Sequence, residues 1–232
     1  MAGKRLYTCN YRYFQNIDSE EKAYWLGFIM ADGHIFETYK GNRPNPARGL
    51  KITLSVVDKD HLYKFRDCMD SNHPIRTYSR KGSNDYCRIV INDSNLYYDL
   101  VNLGAIPNKT FKVKFPNIEE KYYKHYIRGL WDGDGGFSVK TRKSTLKVVY
   151  DKWYLTSTLE SLKVIEGYIC QQLNLPFKSH YQKRWKDRDD NIYRLQYSSS
   201  NCGRVLKLLY SDCSIYLERK YRKYQSLNNG RS

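Results

Sequence analysis

The chain has 232 residues, of which 41% are hydrophobic and 28% are charged, with 14 glycines and 6 prolines. This composition suits one large folded domain or two small ones, and it excludes disordered, collagen-like and mini-protein classes. Forty lysines and arginines against 24 acidic residues give a net charge of +16, which favours a polyanionic partner. Nucleic acid is the first candidate and an anionic membrane surface is the second.

The apolar segments are short and interrupted, and none has the length of a transmembrane span or the character of a secretory signal. The six cysteines form no C-x-x-C pair and no compact Cys/His cluster. This pattern favours reduced thiols and an intracellular location, and it argues against a zinc site.

The first half of the chain predicts the order helix, strand, strand, helix, strand, strand, helix. Apolar residues that recur every three or four positions predict the helices, and alternating residues predict the strands. In chain order, these elements are a helix at 19–31, strands at 33–39 and 50–57, a helix at 59–69, strands at 75–80 and 86–91, and a helix at 94–103.

The second half repeats this plan. Segment 25–33 ends in Ala-Asp-Gly and segment 127–135 ends in Gly-Asp-Gly, and prolines that open a later strand follow both at equal distances. The second copy begins near residue 119, and its predicted strands lie near 136–142, 146–157, 177–185 and 192–198. We therefore predict two repeats, 1–105 and 119–232, joined by an extended linker at 106–118.

Small residues recur four positions apart in both repeated segments. Gly27 and Ala31 share one helix face in the first copy, and Gly129 and Gly133 share one in the second. Small residues at this spacing let two helix backbones approach closely, so the two helices are predicted to pack against each other. This contact between the four residues is named the helix seam.

Each seam helix is predicted to end with an aspartate, Asp32 in the first copy and Asp134 in the second. A helix C-terminus carries partial negative charge, and neighbouring carboxylates repel each other. The arrangement therefore requires a compensating cation. Two carboxylates with backbone carbonyls form a hard-oxygen site that suits Mg²⁺ or Mn²⁺, with water and phosphate oxygens completing the ligand shell.

The two segments resemble the paired signature motifs of the LAGLIDADG homing endonucleases in their single-chain form, and the resemblance extends from about residue 19 to residue 222. It implies that Asp32 and Asp134 are the catalytic acids and bind Mg²⁺, with Mn²⁺ as a substitute. It also implies that the carbonyl oxygens of Ala31 and Gly133 are secondary ligands.

The resemblance further implies a basic residue late in each repeat that polarises the attacking water or the phosphate. By position, Lys109 is the candidate in the first copy and Lys220 in the second. The chain departs from the family pattern at an earlier motif acid, where Met30 stands in the first copy and Asp132 in the second. A structural or supporting role is expected for Asp132.

The family fold is α+β with pseudo-twofold symmetry: the αββαββα repeat occurs twice, and two antiparallel four-stranded sheets form a saddle along the DNA major groove. Alternation along the predicted strands gives each sheet one polar face with donors and acceptors for base edges and phosphates. The residues predicted to contact DNA are Lys51, Thr53, Ser55, Arg76, Tyr78 and Arg80 in the first half and Lys178, His180, Gln182, Arg184, Arg194 and Gln196 in the second.

The residues and the resemblance together predict a monomeric, site-specific double-strand DNA endonuclease with a long target site. The resemblance implies metal-dependent hydrolysis that leaves short 3′ overhangs, and the spread of a mobile intron or a free-standing element as the biological role. Such a protein is expected in the cytoplasm, nucleoid or organelle matrix that holds its target DNA.

Two alternatives remain open: an intron RNA maturase that assists splicing, and a non-catalytic DNA-binding regulator with the same repeat. Loss of the motif acids would favour the maturase, and both acids are present.

Overall fold

The structure, a computed structural model, describes residues 6–39, 41, 45–79, 82, 84–107, 112–177, 181–184 and 191–229. Its helices are α1 (Glu20–Asp32), α2 (Lys59–Cys68), α3 (Ser94–Asn102), α4 (Tyr123–Asp134), α5 (Leu159–Leu173), α6 (Ser200–Tyr210) and α7 (Glu218–Asn229). Its strands are β1 (Gly33–Thr38), β2 (Ala47–Ser55), β3 (Arg76–Tyr78), β4 (Tyr86–Asn92), β5 (Gly135–Thr141), β6 (Val148–Thr158), β7 (Gln182–Lys183) and β8 (Ile192–Ser198). None of the described helices is long and apolar enough to cross a membrane.

The strands form two four-stranded antiparallel sheets. The first has the order β1-β2-β4-β3 and the second has the order β5-β6-β8-β7, so each half of the chain builds its sheet with the same topology. Each half also follows the predicted order of helices and strands. The predicted α+β class with a tandem αββαββα repeat is therefore confirmed.

One face of each sheet packs against helices and forms the core. In β4, Cys87, Ile89 and Ile91 are buried, whereas Tyr86 and Arg88 alternate with them on the opposite face. Successive side chains of a strand point to opposite faces, and the helices α2 and α3 pack on the first sheet while α5 and α6 pack on the second. The face of each sheet that points away from these helices is named its outer face.

Local side chains define the helix ends. Ser19 caps α1 by accepting a hydrogen bond from the backbone N–H of Lys22 at 3.2 Å, and Asp93 caps α3 by accepting one from Leu96 at 3.0 Å. Each cap satisfies a donor that has no partner within its helix. The three helices of the first half begin and end within about two residues of their predicted bounds.

Helix α7 lies beyond the repeated plan and is absent from the sequence-based prediction. Its sequence is mostly polar, but Tyr221, Tyr224 and Leu227 recur every three or four positions and pack against the core, a pattern typical of a surface helix. The tyrosines hold α7 against α6: the rings of Tyr221 and Tyr224 lie 5.2 and 5.1 Å from the ring of Tyr210.

Several strands differ from prediction at their ends. The strand predicted at 50–57 ends at residue 55, because Val56–Asp58 form a short 3₁₀ helix that leads directly into α2. The strand predicted at 177–185 is described only as β7, and residues 178–180 and 185 lie outside the described residues. The register of β5 against β6 shifts between Ser138 and Val139.

Candidate functional site

The helix seam joins the two halves of the protein. A Cβ placed on Gly27 would lie 2.0 Å from the carbonyl oxygen of Tyr126, and one on Gly129 would lie 1.9 Å from that of Tyr24. These distances leave no room for a side chain. The backbones of α1 and α4 are therefore so close that only glycine fits at these two positions.

The parallel course of α1 and α4 brings their C-terminal ends together. A Cβ on Gly133 would lie 2.3 Å from the Cβ of Ala31 and 3.1 Å from Oδ2 of Asp32. Asp32 ends α1, and Asp134 ends α4. The two aspartates predicted to be catalytic thus lie at neighbouring helix ends, and both are exposed.

Gly33 and Gly135 follow these aspartates and start β1 and β5 without an intervening loop. Their φ angles of −76° and −106° are negative, so backbone conformation alone does not require glycine. Close contact does: a Cβ on Gly33 would lie 2.6 Å from the carbonyl oxygen of Ile29, and one on Gly135 would lie 2.1 Å from Cδ1 of Trp131. The glycines let each strand leave directly from its helix, which places the aspartates at the junction of helix and sheet.

Lys220 of α7 lies at the same helix end. Its Nζ donates to the carbonyl oxygens of Trp131 and Gly135, at 2.7 Å each, and lies 4.6 Å from the centre of the Trp131 ring. Burial lowers the pKa of Lys220 to about 8, against the attraction of nearby acidic groups that include Asp32 and Asp134. The structure therefore fixes a lysine within electrostatic reach of both aspartates.

Asp132 has a different environment. Its side chain is fully buried. Its carboxylate accepts hydrogen bonds from the hydroxyls of Tyr24 at 2.8 Å and Tyr210 at 3.0 Å, and from the backbone N–H of Leu217 at 2.8 Å. Burial raises the pKa of Asp132, while these donors and Lys220 oppose the rise. Asp132 thus links α1, α6 and the start of α7 to α4, and no ligand can reach it.

His61 of α2 extends this buried network into the first half. Its Nε2 lies 3.0 Å from the hydroxyl of Tyr24. Tyr24 donates its only hydroxyl proton to Asp132, so His61 must donate from Nε2, and its Nδ1 carries no proton. This Nδ1 is buried without a hydrogen-bond partner among the described residues, and burial lowers the pKa of His61 to about 3. The imidazole is therefore neutral at physiological pH.

The oxygen atoms at the two helix ends suit a hard divalent cation for which the protein would supply only some of the ligands. No group of three or more His, Cys, Asp or Glu side chains in the described part of the chain could hold a metal ion. A cation here would rely on the carboxylates of Asp32 and Asp134 and on carbonyl oxygens of the last helical turns, such as those of Ala31 and Gly133, which have no acceptor role within the helix. Mg²⁺ commonly binds one or two carboxylates together with waters and phosphate oxygens, so the residues fit Mg²⁺ or Mn²⁺ next to a phosphodiester.

The outer face of the first sheet carries residues predicted to contact DNA. Thr53 and Arg76 both pair with Arg88 of β4, so the three side chains lie in one row. Arg88 donates from Nε to Oγ1 of Thr53 at 3.1 Å, and its guanidinium lies 5.2 Å from the ring centre of Tyr78. The same face also carries Lys51 and Ser55.

The outer face of the second sheet is built in the same way. Gln182 pairs with Arg194, and Gln196 pairs with Tyr154. The guanidinium of Arg194 lies 4.7 Å from the ring centre of Tyr154, and its Nε has no hydrogen-bond partner among the residues described. Arg184 follows β7 and is exposed. Each sheet thus presents an arginine supported by a tyrosine ring.

Four residues predicted for the site lie outside the described residues. They are Lys109 of the catalytic set and Arg80, Lys178 and His180 of the DNA-binding set. Of the predicted pair of lysines, the described residues therefore include Lys220.

The outer faces include residues that are absent from the sequence-based prediction, notably Arg88 and Tyr154. Alternation could have identified Arg88, because the residues on either side of it, Cys87 and Ile89, are apolar. The tyrosines that bind Asp132 give no such signal, because they come from helices that are distant in sequence.

No protein-family model matches the chain, and no curated protein matches it. Solved structures do. The LAGLIDADG homing endonuclease I-GzeII, in complex with its DNA target, is 12% identical, with 89% of this chain and 88% of that chain covered and a TM-score of 0.58. I-SmaMI bound to cleaved DNA is 12% identical, with 92% and 89% covered and a TM-score of 0.57. A variant of I-DmoI with nicked target DNA in the presence of Mn is 20% identical, with 88% and 99% covered and a TM-score of 0.51.

These similarities concern the fold. Over most of its length, the chain has the fold of the LAGLIDADG homing endonucleases, with both motif copies in one chain. The fold that the duplicated motif implies is therefore confirmed.

Proposed function

We propose that this chain is a metal-dependent DNA endonuclease that cleaves both strands of a long, specific target site. One observation carries the proposal: the exposed carboxylates of Asp32 and Asp134 lie at adjacent helix ends, where both sheets begin. The structural neighbours I-GzeII and I-SmaMI were solved with DNA, which supports double-stranded DNA as the substrate.

In this proposal Asp32 and Asp134 hold Mg²⁺ or Mn²⁺, with the carbonyl oxygens of Ala31 and Gly133 as further donors. Such an ion, when bound, supplies Lewis acidity at a phosphodiester and lowers the pKa of a nearby water. The two carboxylates repel each other and an incoming phosphate. We therefore expect the cation to be required for a productive complex with DNA.

Lys220 contributes a fixed positive charge beside both aspartates. Two carbonyl oxygens hold its ammonium before DNA arrives. A charge that is already in place stabilises negative charge developing on a phosphate without reorganisation during the reaction.

The proposed products carry short 3′ overhangs, and the proposed active form is a monomer. The helix seam already joins the two motif copies within one chain, so no second chain is needed to complete the pair of acids. The spread of a mobile intron or of a free-standing element fits such an activity.

Substitution of the acids tests this function. Sites cleaved by the wild-type protein are selected from a randomised DNA library with Mg²⁺, and a supercoiled plasmid with one selected site is then incubated with each variant. Asp32→Asn and Asp134→Asn keep the side-chain shape and remove the charge, and each should slow cleavage of both strands by about 100-fold or more. Asp67→Asn, at an exposed aspartate of α2, should leave the rate unchanged.

The same variants should bind the target in metal-free buffer as well as the wild type or more tightly, because a repulsive charge is gone. Cleavage that survives the combined Asp32→Asn and Asp134→Asn changes, or that continues in chelator, would place the chemistry elsewhere.

The two alternative functions predict other outcomes for the wild-type protein. Binding to RNA with no DNA cleavage would indicate a maturase. Specific DNA binding that persists in chelator, with no cleavage in Mg²⁺ or Mn²⁺, would indicate a regulator.

A further inference from the structure

Helix α7 contacts both halves of the protein. On one side, Lys220 reaches the end of α4, as described above. On the other side, Arg219 reaches the first half, where its Nε lies 2.9 and 3.1 Å from the two carboxylate oxygens of Asp58. Consecutive residues of an α-helix point about 100° apart, so adjacent residues of α7 can serve the two halves at once.

The side chain of Asp58 binds Arg219 of α7 and does not cap α2, the helix that it precedes. It directly precedes α2, a position at which aspartate commonly caps the helix by accepting backbone N–H bonds. Within the described part of the chain it makes no such capping bond. Its side chain is only 9% exposed, and a carboxylate this buried needs a charged or hydrogen-bonded partner. Arg219 is that partner.

The other contacts between α7 and α2 are weak. Lys64 lies 3.5 Å from Glu218, but both side chains are exposed, at 40% and 44%, and such ion pairs contribute little. In the Asp58–Arg219 pair the arginine is 55% exposed, but its carboxylate partner is 9% exposed. A cavity of about 510 Å³ lies between the two helices, with Asp58, His61 and Leu217 among the residues that line it. Because packing here is sparse, the orientation of α7 towards the first half depends on the Asp58–Arg219 pair.

The start of α7 is held independently by the second half, where Leu217 donates its backbone N–H to Asp132 at 2.8 Å. Tyr221 and Tyr224 also hold α7 to the second half through Tyr210. Arg219 is its contact with the first half, and Lys220 is the next residue along the helix.

We propose that Arg219 is a positioning residue: its ion pair with Asp58 fixes the rotation of α7 relative to the first half, which bears Asp32, and thereby helps to hold the ammonium of Lys220 at the shared end of α1 and α4. This inference rests on the proposed function, in which Lys220 is the fixed charge beside Asp32 and Asp134. The first half of the chain then positions a lysine that the second half supplies.

Arg219→Gln tests the inference, with Arg222→Gln as its matched control. Arg222 lies one turn later in α7, is 75% exposed and pairs with Glu218 of the same helix, so both substitutions remove one positive charge from one helix. At saturating DNA, single-turnover cleavage by Arg219→Gln should be about 10-fold or more slower than by Arg222→Gln, as for residues that orient an active-site group. The two variants should bind the target equally, and Arg219→Lys should restore most of the rate.

A second measurement requires no cleavage. The ammonium of Lys220 lies over the ring of Trp131, and the indole N–H of Trp131 donates to the carbonyl of Tyr154 at 3.0 Å. In ¹H–¹⁵N spectra of the protein without metal or DNA, Arg219→Gln and Asp58→Asn should both shift this indole resonance. Arg222→Gln should leave it in place.

Equal cleavage rates for Arg219→Gln and Arg222→Gln, an unchanged indole resonance, or no recovery with Arg219→Lys would overturn the inference. If Arg219→Gln does not fold, Asp58→Asn tests the same contact from the other partner. A wild-type protein that cleaves no DNA would overturn the proposed function instead, and the indole resonance would still decide whether Arg219 positions Lys220.

Discussion

Burial separates the roles of two aspartates at the end of α4. Asp132 and Asp134 are two residues apart, yet Asp132 is fully buried and Asp134 is exposed. Asp132 satisfies its carboxylate with three donors from the protein. An exposed carboxylate at a helix C-terminus is unfavourable on its own, and a second one at Asp32 adds to the repulsion. The proposed cation site would account for this unfavourable pair, whereas the hydrogen bonds within the fold account for Asp132.

The buried His61 predicts acid sensitivity of the fold. Its pKa is lowered to about 3 in the folded protein by burial, with Lys64 and Arg219 adding to the effect, whereas the unfolded value is about 6.5. Between these values the unfolded chain binds a proton that the folded chain excludes, so the free energy of unfolding should fall as pH falls below about 6.5. Each such histidine contributes up to about 1.4 kcal/mol per pH unit.

Urea unfolding between pH 6.5 and pH 5 measures this contribution. His61→Gln should remove the share of His61 and flatten the dependence on pH, while His125, whose pKa is lowered to about 4 mainly by burial, keeps its share. Parallel curves for the wild type and the variant would show that His61 is not the group responsible.

At the residue scale, the sequence identifies groups that belong to a local motif and misses groups that meet across the fold. Asp32 and Asp134 follow from two short segments that repeat. The pair of Asp58 and Arg219 is separated by 161 positions, and no periodicity connects them. Only the folding of α7 against the first half brings this pair together.

Substitution of a glycine in the helix seam and of one outside it should have opposite effects on the free energy of unfolding. In α4, the Cβ of Gly129→Ala would lie 1.9 Å from the carbonyl oxygen of Tyr24, so the helices must separate. This should lower the free energy of unfolding by about 3 kcal/mol or more. In α5, a Cβ on Gly167 meets nothing within 4 Å, so Gly167→Ala should stabilise the protein by up to about 1 kcal/mol. Urea unfolding of both variants checks the prediction, and a Gly129→Ala protein of full stability would contradict the close approach of α1 and α4.

The outer faces predict where base preference is encoded. Arg88 and Arg194 occupy similar places in the two sheets, and an arginine can bind guanine through two hydrogen bonds that contribute about 1–3 kcal/mol of discrimination. Arg194→Ala and Gln196→Ala should therefore relax base preference at a few positions of one half-site, and Arg88→Ala at positions of the other. Profiles of cleaved sites from a randomised library measure this, with Arg66→Ala on α2 as the control. Unchanged profiles for the sheet variants would show that these faces do not read bases.

At the element scale, the sequence predicts what has a strong internal period. The first three helices and the strands other than β7 have such a period, and their predicted bounds lie within a few residues of the observed ones. Helix α7 has a period too, in Tyr221, Tyr224 and Leu227, but it consists mostly of tyrosines among charged residues and lies beyond the plan that the two repeats share. Its position is determined by α4, α6 and α2, which a local pattern does not report.

At the scale of the whole molecule, the two halves share a topology but not their details. The motif position two residues before the terminal acid is Met30 in one half and Asp132 in the other. Among the described residues, a helix in the place of α7 follows the second repeat and not the first. Duplication accounts for the common fold. The two outer faces also carry different side chains, such as Arg76 in the first sheet and Gln182 in the second, which suits the proposal of a target site whose two halves differ in sequence.

The charge of the whole molecule leads to a prediction about salt. The chain carries a net charge of +16, and Lys51, Arg76, Arg88 and Arg194 lie on the outer faces. Each phosphate that such residues neutralise releases counterions, so the logarithm of the affinity should fall linearly with the logarithm of the salt concentration, with a slope of about −0.9 per phosphate. Binding of the selected target, titrated in metal-free buffer at several salt concentrations, measures the slope.

Substitution on an outer face then separates the two kinds of contact. If Lys51 binds a phosphate, Lys51→Gln should make the slope shallower by about one unit and weaken all sequences equally, whereas loss of a base contact should change the ranking of sequences and leave the slope nearly unchanged. A slope near zero for the wild-type protein would mean that phosphates are not the partner of this positive charge. In that case the outer faces would not be a DNA-binding surface, and the acids at the helix ends would have no phosphodiester to act on.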